Sequence, residues 1–184
     1  MVRILICGLN GSGKSTLGRA LARKLEVPFI DNEDLFFPKT DPFYLYAAPR
    51  SKAEAQMLLK QKIAACPEFV FASVRGDYGE EFLSMYQCAI WMRVPCAVRM
   101  QRLRDRSFSK FGRRMLPGGD LYVWEKEFLD MAASRTERYV EEWLQTLHCP
   151  IIQVDGTKPV EENLTRFEEY RSGGIGGKNG FGWE

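Results

Sequence analysis

An eight-residue segment near the start of the chain has the composition and spacing of a phosphate-binding loop. Residues 8–15 read GLNGSGKS and match the pattern G-x-x-x-x-G-K-[ST] in full. In such a loop the backbone N–H groups point at phosphate oxygens, the lysine bridges the β- and γ-phosphates, and the serine hydroxyl ligates Mg²⁺. A turn that only connects a strand to a helix would have no use for the Lys14–Ser15 pair. The loop therefore predicts binding of ATP and Mg²⁺ by Gly8, Asn10, Gly11, Ser12, Gly13, Lys14, Ser15 and Thr16, with Ser15 as the metal ligand.

A second candidate for phosphate chemistry is a basic segment in the second half of the chain. Residues 99–114 contain seven Lys or Arg residues and one acid, a local charge of +6 in a chain of net charge +2. Guanidinium groups that fold over a triphosphate neutralise charge on the transferred phosphoryl group. Gly112 and residues 117–119 could act as hinges, so we expect a lid at about 106–119. A solvated basic face and an RNA-contacting patch are the alternatives.

Three acids follow the second predicted strand, at the strand end where open parallel sheets place ligands. Asp31, Glu33 and Asp34 could orient or deprotonate an acceptor hydroxyl, and each could instead cap the next turn. Arg50 follows an aromatic run and could hold an anionic acceptor or be surface charge. Because carboxylates bind hydroxyls and repel phosphates, the acids favour a hydroxyl-bearing acceptor over a nucleotide.

The chain that positions these residues alternates short apolar runs with longer amphipathic stretches, which is typical of strands and crossover helices. Strands are predicted at 2–7, 29–30, 69–72, 89–92 and 151–154. Helices are predicted at 14–26, 51–65, 96–105, 121–147 (one helix or a broken pair) and 159–171. The fold class is therefore α/β, a three-layer sandwich in one domain spanning 1–171. Residues 172–184 contain six glycines and are expected to form a flexible tail.

Composition excludes several other classes of protein. No apolar run approaches the roughly 18 residues of a membrane-spanning helix. A net charge of +2 gives no global case for nucleic-acid binding, and monomer and homodimer both stay open. The five scattered cysteines are expected to be reduced, which favours the cytoplasm. No N-K-x-D guanine motif is present, and the chain is short for an oligomeric motor module, so GTPase and AAA-type functions are not expected.

Four segments together resemble the P-loop kinases that act on nucleoside monophosphates, shikimate and gluconate. They are the phosphate-binding loop, residues 29–34 (FIDNED), the Arg102-x-x-x-Arg106 pair, and residues 154–159 (VDGTKP). The resemblance covers residues 1 to about 171, and only the loop is specific by itself. It implies a five-stranded parallel sheet of order 2-3-1-4-5, ATP on the loop, and a lid that closes over the phosphates.

The resemblance also implies roles for individual residues. Arg102 would stack on adenine, Arg106 would be the first lid arginine, and Arg135 and Arg138 would face the phosphates from the long helix. Asp31 aligns best with the first acid of the group, and Glu33 or Asp34 aligns with its acceptor-binding acid.

Ser73 marks a departure from the nucleotide kinases, because it stands where an aspartate that assists Mg²⁺ would be expected. The gluconate kinases also carry serine there, which favours an acceptor that is not a nucleotide. Mg²⁺ would then be held by Ser15, phosphates and water, with Ser73 or Asp31 behind them and Asp77 as an alternative.

The predicted function is ATP-dependent transfer of the γ-phosphoryl group to a small-molecule hydroxyl. The predicted catalytic residues are Lys14, Arg102, Arg106, Arg138 and Asp31, and the predicted acceptor-binding residues are Asp31, Asp34, Arg50 and Ser73. A nucleoside monophosphate kinase with Arg50 as its phosphate clamp is one alternative. A nucleotide-binding regulatory or nucleic-acid-associated protein without turnover is the other, and the missing aspartate is its best support.

Overall fold

The computed structural model describes residues 1–173, and the predicted tail lies outside the described residues from 174 onward. The five strands are β1 (Arg3–Cys7), β2 (Phe29–Asp31), β3 (Phe69–Ala72), β4 (Cys88–Arg93) and β5 (Ile151–Asp155). The helices are α1 (Lys14–Lys24), α2 (Asn32–Phe36), α3 (Lys52–Ala65), α4 (Glu80–Leu83), α5 (Cys96–Phe111), α6 (Tyr122–Ser134), α7 (Arg138–Leu144) and α8 (Val160–Arg171). A short 3₁₀ helix spans Gly112–Met115.

The strands form one parallel sheet of order β2-β3-β1-β4-β5, which confirms the fold class and the order implied by the resemblance. Alternate residues of β1 enter two separate cores: Leu5 packs with Phe71 and Trp91 on one face, and Ile4 packs with Leu17 on the other. Because helices cover both faces, the strands read as continuous apolar runs, as expected for a buried parallel sheet. No helix within residues 1–173 has the length and apolar character needed to cross a bilayer.

One helix prediction needed correction, and one left open is decided by the structure. The helix predicted at 96–105 continues to Phe111, where Gly112 with φ of 56° ends it. Arg106 therefore lies inside a regular helix, and the irregular part of the predicted lid begins only at Gly112. The stretch at 121–147 is the broken pair α6 and α7, and the short helices α2 and α4 had no clear periodic signal.

Parallel topology brings the carboxyl ends of β1 and β3 together with the start of α1. The Ser73 N–H donates to the Ile6 carbonyl at 3.0 Å, and the Gly8 N–H donates to the Val74 carbonyl at 3.3 Å. The turn after β5 joins the same edge, since the Gly156 N–H donates to the Arg93 carbonyl at 2.9 Å. This edge of the sheet is where the predicted site residues converge.

Candidate active site

The phosphate-binding loop crosses from β1 to α1 in a conformation that requires glycine. Gly11 has a φ of 82°, and a Cβ there would lie 2.6 Å from the Arg99 carbonyl oxygen, which belongs to the backbone of α5. Gly13, with φ of 96°, precedes α1 as its N-cap and makes no side-chain capping hydrogen bond. The first N–H groups of a helix have no partner inside it, so the start of α1 offers donors and a partial positive charge to an anion.

Lys14 lies at the start of α1 with its ammonium group turned back onto the loop. Its Nζ donates to the Leu9 carbonyl oxygen at 2.9 Å. Burial lowers the pKa of Lys14 to about 8, and Arg106 and Arg99 act in the same direction against the opposing effects of Cys7 and Asp31. A nearby phosphate would favour the charged form of this lysine.

The loop forms one end of a cavity of about 750 Å³. The predicted residues that line it are Asn10, Gly11, Gly13, Lys14, Ser15, Thr16, Asp31, Glu33, Ser73, Arg102 and Arg106. Six predicted residues are not part of this lining: Gly8, Ser12, Asp34, Arg50, Arg135 and Arg138. A cavity of this size is ample for a small-molecule ligand, since ligand pockets typically measure about 300–1,000 Å³.

Two arginines hold Asn10 in place, one through its backbone and one through its side chain. Arg99 is 2% exposed and donates from NH1 to the Asn10 carbonyl oxygen at 3.0 Å. Arg135 donates from NH1 to the Asn10 side-chain oxygen at 3.1 Å. Sequence reasoning placed Arg99 in a basic cluster without a role, because nothing in the chain signals which of several clustered arginines will be buried.

Arg138, the predicted catalytic partner of Arg135, lies elsewhere. Its Nε donates to Glu142 at 2.6 Å, one helical turn away on α7, and its side chain is 80% exposed. The structure therefore brings Arg135 to the phosphate-binding loop and leaves Arg138 in solvent. The three-residue separation between the two arginines spans the break between α6 and α7, which helical periodicity could not locate.

Arg102 and Arg106 lie one turn apart on α5, so both side chains face the cavity. Arg102 donates from NH1 to the Gly156 carbonyl oxygen at 2.9 Å, in the turn after β5. Arg106 NH1 lies 3.8 Å from a carboxylate oxygen of Glu33. One arginine thus lies beside the loop, and the other points toward the acids after β2.

Glu33 is the acid on which the cations of the cavity converge. Its carboxylate lies 3.1 Å from Lys39 Nζ, 3.8 Å from Arg106 NH1 and 3.9 Å from Lys110 Nζ. It also accepts a hydrogen bond from the Tyr46 hydroxyl at 3.2 Å. Burial alone would raise the pKa of Glu33, but Lys110, Lys39 and Arg106 outweigh it and hold the pKa below its ordinary value. Glu33 is therefore ionised and faces the cavity.

The neighbouring acids have other partners. Asp31 caps α2 by accepting from the Glu33 N–H at 3.1 Å, and its second oxygen accepts from Arg19 at 3.2 Å, although it still lines the cavity. Asp34 pairs with Lys39 at 2.6 Å, and its side chain is 56% exposed. The capping alternative raised from the sequence thus holds for Asp31, and the structure does not bring Asp34 to the cavity.

Arg50 and Ser73 both serve the local backbone. Arg50 donates from NH1 to the carbonyl oxygens of Asp34 and Leu35 at 3.2 and 3.0 Å, near the end of α2. Ser73 is 3% exposed and donates from Oγ to the Arg75 carbonyl oxygen at 2.6 Å. Arg50 is thus turned away from the cavity, while Ser73 remains in its wall.

The end of the cavity opposite the loop is aromatic, which sequence reasoning missed. Tyr44 is at its centre, with ring centroids 4.8 Å from Trp124, 5.3 Å from Phe111 and 5.5 Å from Tyr46. The only signal was the aromatic run at 43–46, and its partners come from α5 and α6, far away in the chain.

Comparison with known proteins gives a family. The family model described as "AAA domain" matches residues 4–114. This contradicts our exclusion of AAA-type proteins by chain length, which was wrong because the match needs only residues 4–114. The uncharacterized protein YqaC of Bacillus subtilis is 27% identical over 177 residues, covering 92% of this chain and 97% of that protein.

Shikimate kinases are also similar to this chain. One from Bacteroides thetaiotaomicron is 68% identical over 178 residues, covering 92% of this chain and 98% of the relative. A crystal structure of a shikimate kinase from the same species superposes with a TM-score of 0.58 at 23% identity, covering 93% of this chain and 98% of that one. The 68% and 23% identities differ widely, so the family assignment depends on the match of the family model to residues 4–114. With its phosphate-binding loop and its sheet order, the chain belongs to the AAA domain family, and its similarity to the shikimate kinases shows that it is a P-loop kinase.

Proposed function

We propose that the protein transfers the γ-phosphoryl group of ATP to a hydroxyl of a small molecule bound at the far end of the cavity. The observation that carries this proposal is the placement of two opposite chemistries in one cavity of about 750 Å³. One end has the helix N-terminus and Lys14, which suit phosphates, and the middle has an ionised carboxylate, Glu33, which suits a hydroxyl.

The phosphate end supplies positioning and charge. Lys14 would leave the Leu9 carbonyl and contact the β- and γ-phosphates, and Arg102 would lie beside the bound nucleotide. Ser15 is the hydroxyl that would ligate Mg²⁺, with Asp31 and Ser73 in the same wall to hold its water ligands. This oxygen donor set fits a hard cation that keeps most of its waters. Mg²⁺ would neutralise charge between the two terminal phosphates.

Glu33 is the residue we propose for the acceptor hydroxyl. The hydroxyl oxygen would attack the γ-phosphorus as the bond to the leaving ADP oxygen breaks, and the hydroxyl proton would pass to the carboxylate. Arg106, 3.8 Å from Glu33, lies where it can contact the transferring phosphoryl group. Asp31 would support the same wall, and we propose that a lid at about 106–119, hinged at Gly112, closes over both ligands.

The remaining proposals concern the identity of the acceptor and the cellular location of the protein. The names of the relatives make shikimate the first compound to assay, alongside sugars, sugar acids, nucleosides and nucleoside monophosphates. We propose the cytoplasm as its location, supported by five free cysteines within the described residues.

A coupled assay of ADP release with this acceptor panel tests the function. Glu33→Gln keeps the size of the side chain and removes its charge, so it should lower kcat by about 10²-fold or more, as expected for loss of a general base. The affinity for Mg-ATP, measured by titration calorimetry, should not fall, because Arg106 is the phosphate-contacting residue paired with Glu33 and loss of the carboxylate charge leaves this arginine free for the phosphates.

Glu169→Gln is the matched control, because Glu169 is an exposed acid on α8 outside the cavity lining. It should leave both quantities unchanged. Turnover with no member of the panel, or equal losses of kcat and ATP affinity in Glu33→Gln, would contradict the proposal.

A further inference from the structure

Tyr139 on α7 contacts two arginines through its ring. The guanidinium carbon of Arg75 lies 4.1 Å from the ring centroid, and that of Arg135 lies 5.2 Å from the same centroid. The face of a tyrosine ring attracts guanidinium groups within about 6 Å of its centroid. Both contacts are therefore cation–π interactions, and they join the segment after β3 to the junction of α6 and α7.

Arg135 depends on this ring because the described part of the chain gives it no acidic partner. Its guanidinium group forms no ion pair within residues 1–173, and its polar contacts are the Asn10 side-chain oxygen at 3.1 Å and the face of Tyr139. Holding a long arginine side chain in one conformation costs entropy, which both contacts offset. The ring thus helps to keep Arg135 where it can donate to Asn10.

The ring of Tyr139 is itself held at two places. Tyr139 is 36% exposed, but its neighbour Val140 on α7 is fully buried in the core, which fixes the helix. Arg75, which contacts the ring from the segment after β3, is held at both ends. Its carbonyl oxygen accepts from Ser73 Oγ at 2.6 Å, and its guanidinium group lies 3.6 Å from Asp77. Arg75 can therefore support the ring in turn.

We infer that Tyr139 and Arg75 are positioning residues for the phosphate-binding loop. The ring holds Arg135 against Asn10, and Arg75 holds the ring. Neither Tyr139 nor Arg75 lines the cavity, so both act through Arg135 and not on a ligand. The N–H groups of the loop stabilise phosphates best when they are aligned beforehand, so a looser Asn10 weakens binding of Mg-ATP. This inference rests on the proposed function for turnover alone, because binding of Mg-ATP depends on the loop.

Two substitutions at Tyr139 separate the role of the ring from that of the hydroxyl. Tyr139→Leu removes the ring face and should weaken Mg-ATP binding about fivefold, whereas Tyr139→Phe keeps the face and should stay within about twofold of the native protein. Titration calorimetry measures both affinities. Tyr170→Leu is the matched control, because Tyr170 is a partly buried tyrosine on α8 outside the cavity lining, and it should leave the affinity unchanged.

A double-mutant cycle shows whether Tyr139 acts through Arg135. Arg135→Ala alone should weaken Mg-ATP binding about tenfold, because Asn10 loses its side-chain partner. Adding Tyr139→Leu to Arg135→Ala should weaken binding by less than about twofold more, since the effects of residues in one contact network are not additive. Arg75→Met should weaken binding about threefold in the native protein and have no further effect in Tyr139→Leu.

The outcomes separate this inference from the proposed function. Equal losses of affinity in Tyr139→Leu and Tyr139→Phe, or a loss in Tyr139→Leu that persists in full beside Arg135→Ala, would overturn the inference. A change confined to the KM of the acceptor would do the same, because it would assign Arg135 to the acceptor and not to the loop. The expected losses of Mg-ATP affinity without phosphorylation of any acceptor would instead refute the proposed function and leave the positioning role standing.

Discussion

Lys14 should take up a proton when ATP binds, and its pKa fixes how the amount varies with pH. Its ammonium group contacts the Leu9 carbonyl oxygen 2.9 Å away, and burial lowers the pKa to about 8. From that pKa, roughly one tenth of the lysine is neutral at pH 7, about half at pH 8 and about nine tenths at pH 9. Phosphate oxygens beside Nζ favour the charged form, so binding restores the missing proton.

Titration calorimetry of Mg-ATP in two buffers with different ionisation enthalpies measures this uptake at each pH. We expect it to rise from about 0.1 proton at pH 7 to about 0.9 at pH 9, with a roughly tenfold loss of affinity, or ~1.4 kcal/mol, by pH 9. ATP contributes little in the upper half of this range, because the second pKa of a phosphate monoester is about 6. The unliganded protein should also gain stability with rising pH above 8, where its unfolded chain binds more protons than the folded state.

Two variants isolate the residue. Lys14→Arg stays charged across the range and should show no pH-dependent uptake. Lys24→Arg changes an exposed lysine in the last turn of the same helix and should behave as the native protein does. Uptake that is flat from pH 7 to pH 9 in the native protein, or that persists in Lys14→Arg, would refute the reasoning.

Two further predictions concern the frame of the loop. Arg135→Ala should lower kcat/KM about tenfold or more, because it releases Asn10. Arg138→Ala should change kcat/KM less than about twofold, because it removes only an exposed i,i+4 ion pair with Glu142. The reverse ranking in the coupled assay would restore Arg138 as the phosphate contact. Gly11→Ala should lower the free energy of unfolding by about 2 kcal/mol or more, and Gly118→Ala by only about 1 kcal/mol, since both have positive φ but only Gly11 faces a backbone carbonyl. If urea denaturation gave equal losses in the free energy of unfolding for the two variants, the Arg99 backbone would have to move away from a new Cβ at no cost.

The fold was predictable because one physical requirement determines the apolar pattern of β1 and of the strands beside it. A strand buried on both faces must be apolar at every position, and Leu5 and Ile4 do enter different cores. The loop was predictable for a similar reason, since the donors toward a phosphate come from the backbone and depend on glycines at fixed spacing. The length of α5 was not predicted correctly. Residues 106–111 contain no helix breaker, so their sequence allows the helix to continue, but an irregular lid was expected to begin at residue 106.

Side-chain partners could not be read from the chain, because each depends on atoms that other segments bring. Arg135 and Arg138 have the same chemistry and lie three residues apart, yet one contacts Asn10, 125 residues away in sequence, and the other contacts its own helix. Glu33 was one of three acids within four residues, and only the arrival of Lys110 and Arg106 from α5 distinguishes it. Contacts between distant segments, which no local sequence pattern contains, therefore single out Glu33 among the three acids.

The present partners of the site's cations show which contacts the phosphates of ATP must replace. Lys14 and Arg102 donate to carbonyl oxygens, and Arg106 is held by Glu33. Phosphate oxygens carry more negative charge than a carbonyl, so the first two cations gain by moving to ATP. Arg106 differs, because its present partner is itself an anion. A γ-phosphoryl group that draws Arg106 away leaves Glu33 with one fewer cation, which makes its carboxylate a better acceptor for a hydroxyl proton. The Arg106–Glu33 ion pair thus links the binding of ATP at the loop to the ability of Glu33 to accept the proton of the acceptor hydroxyl.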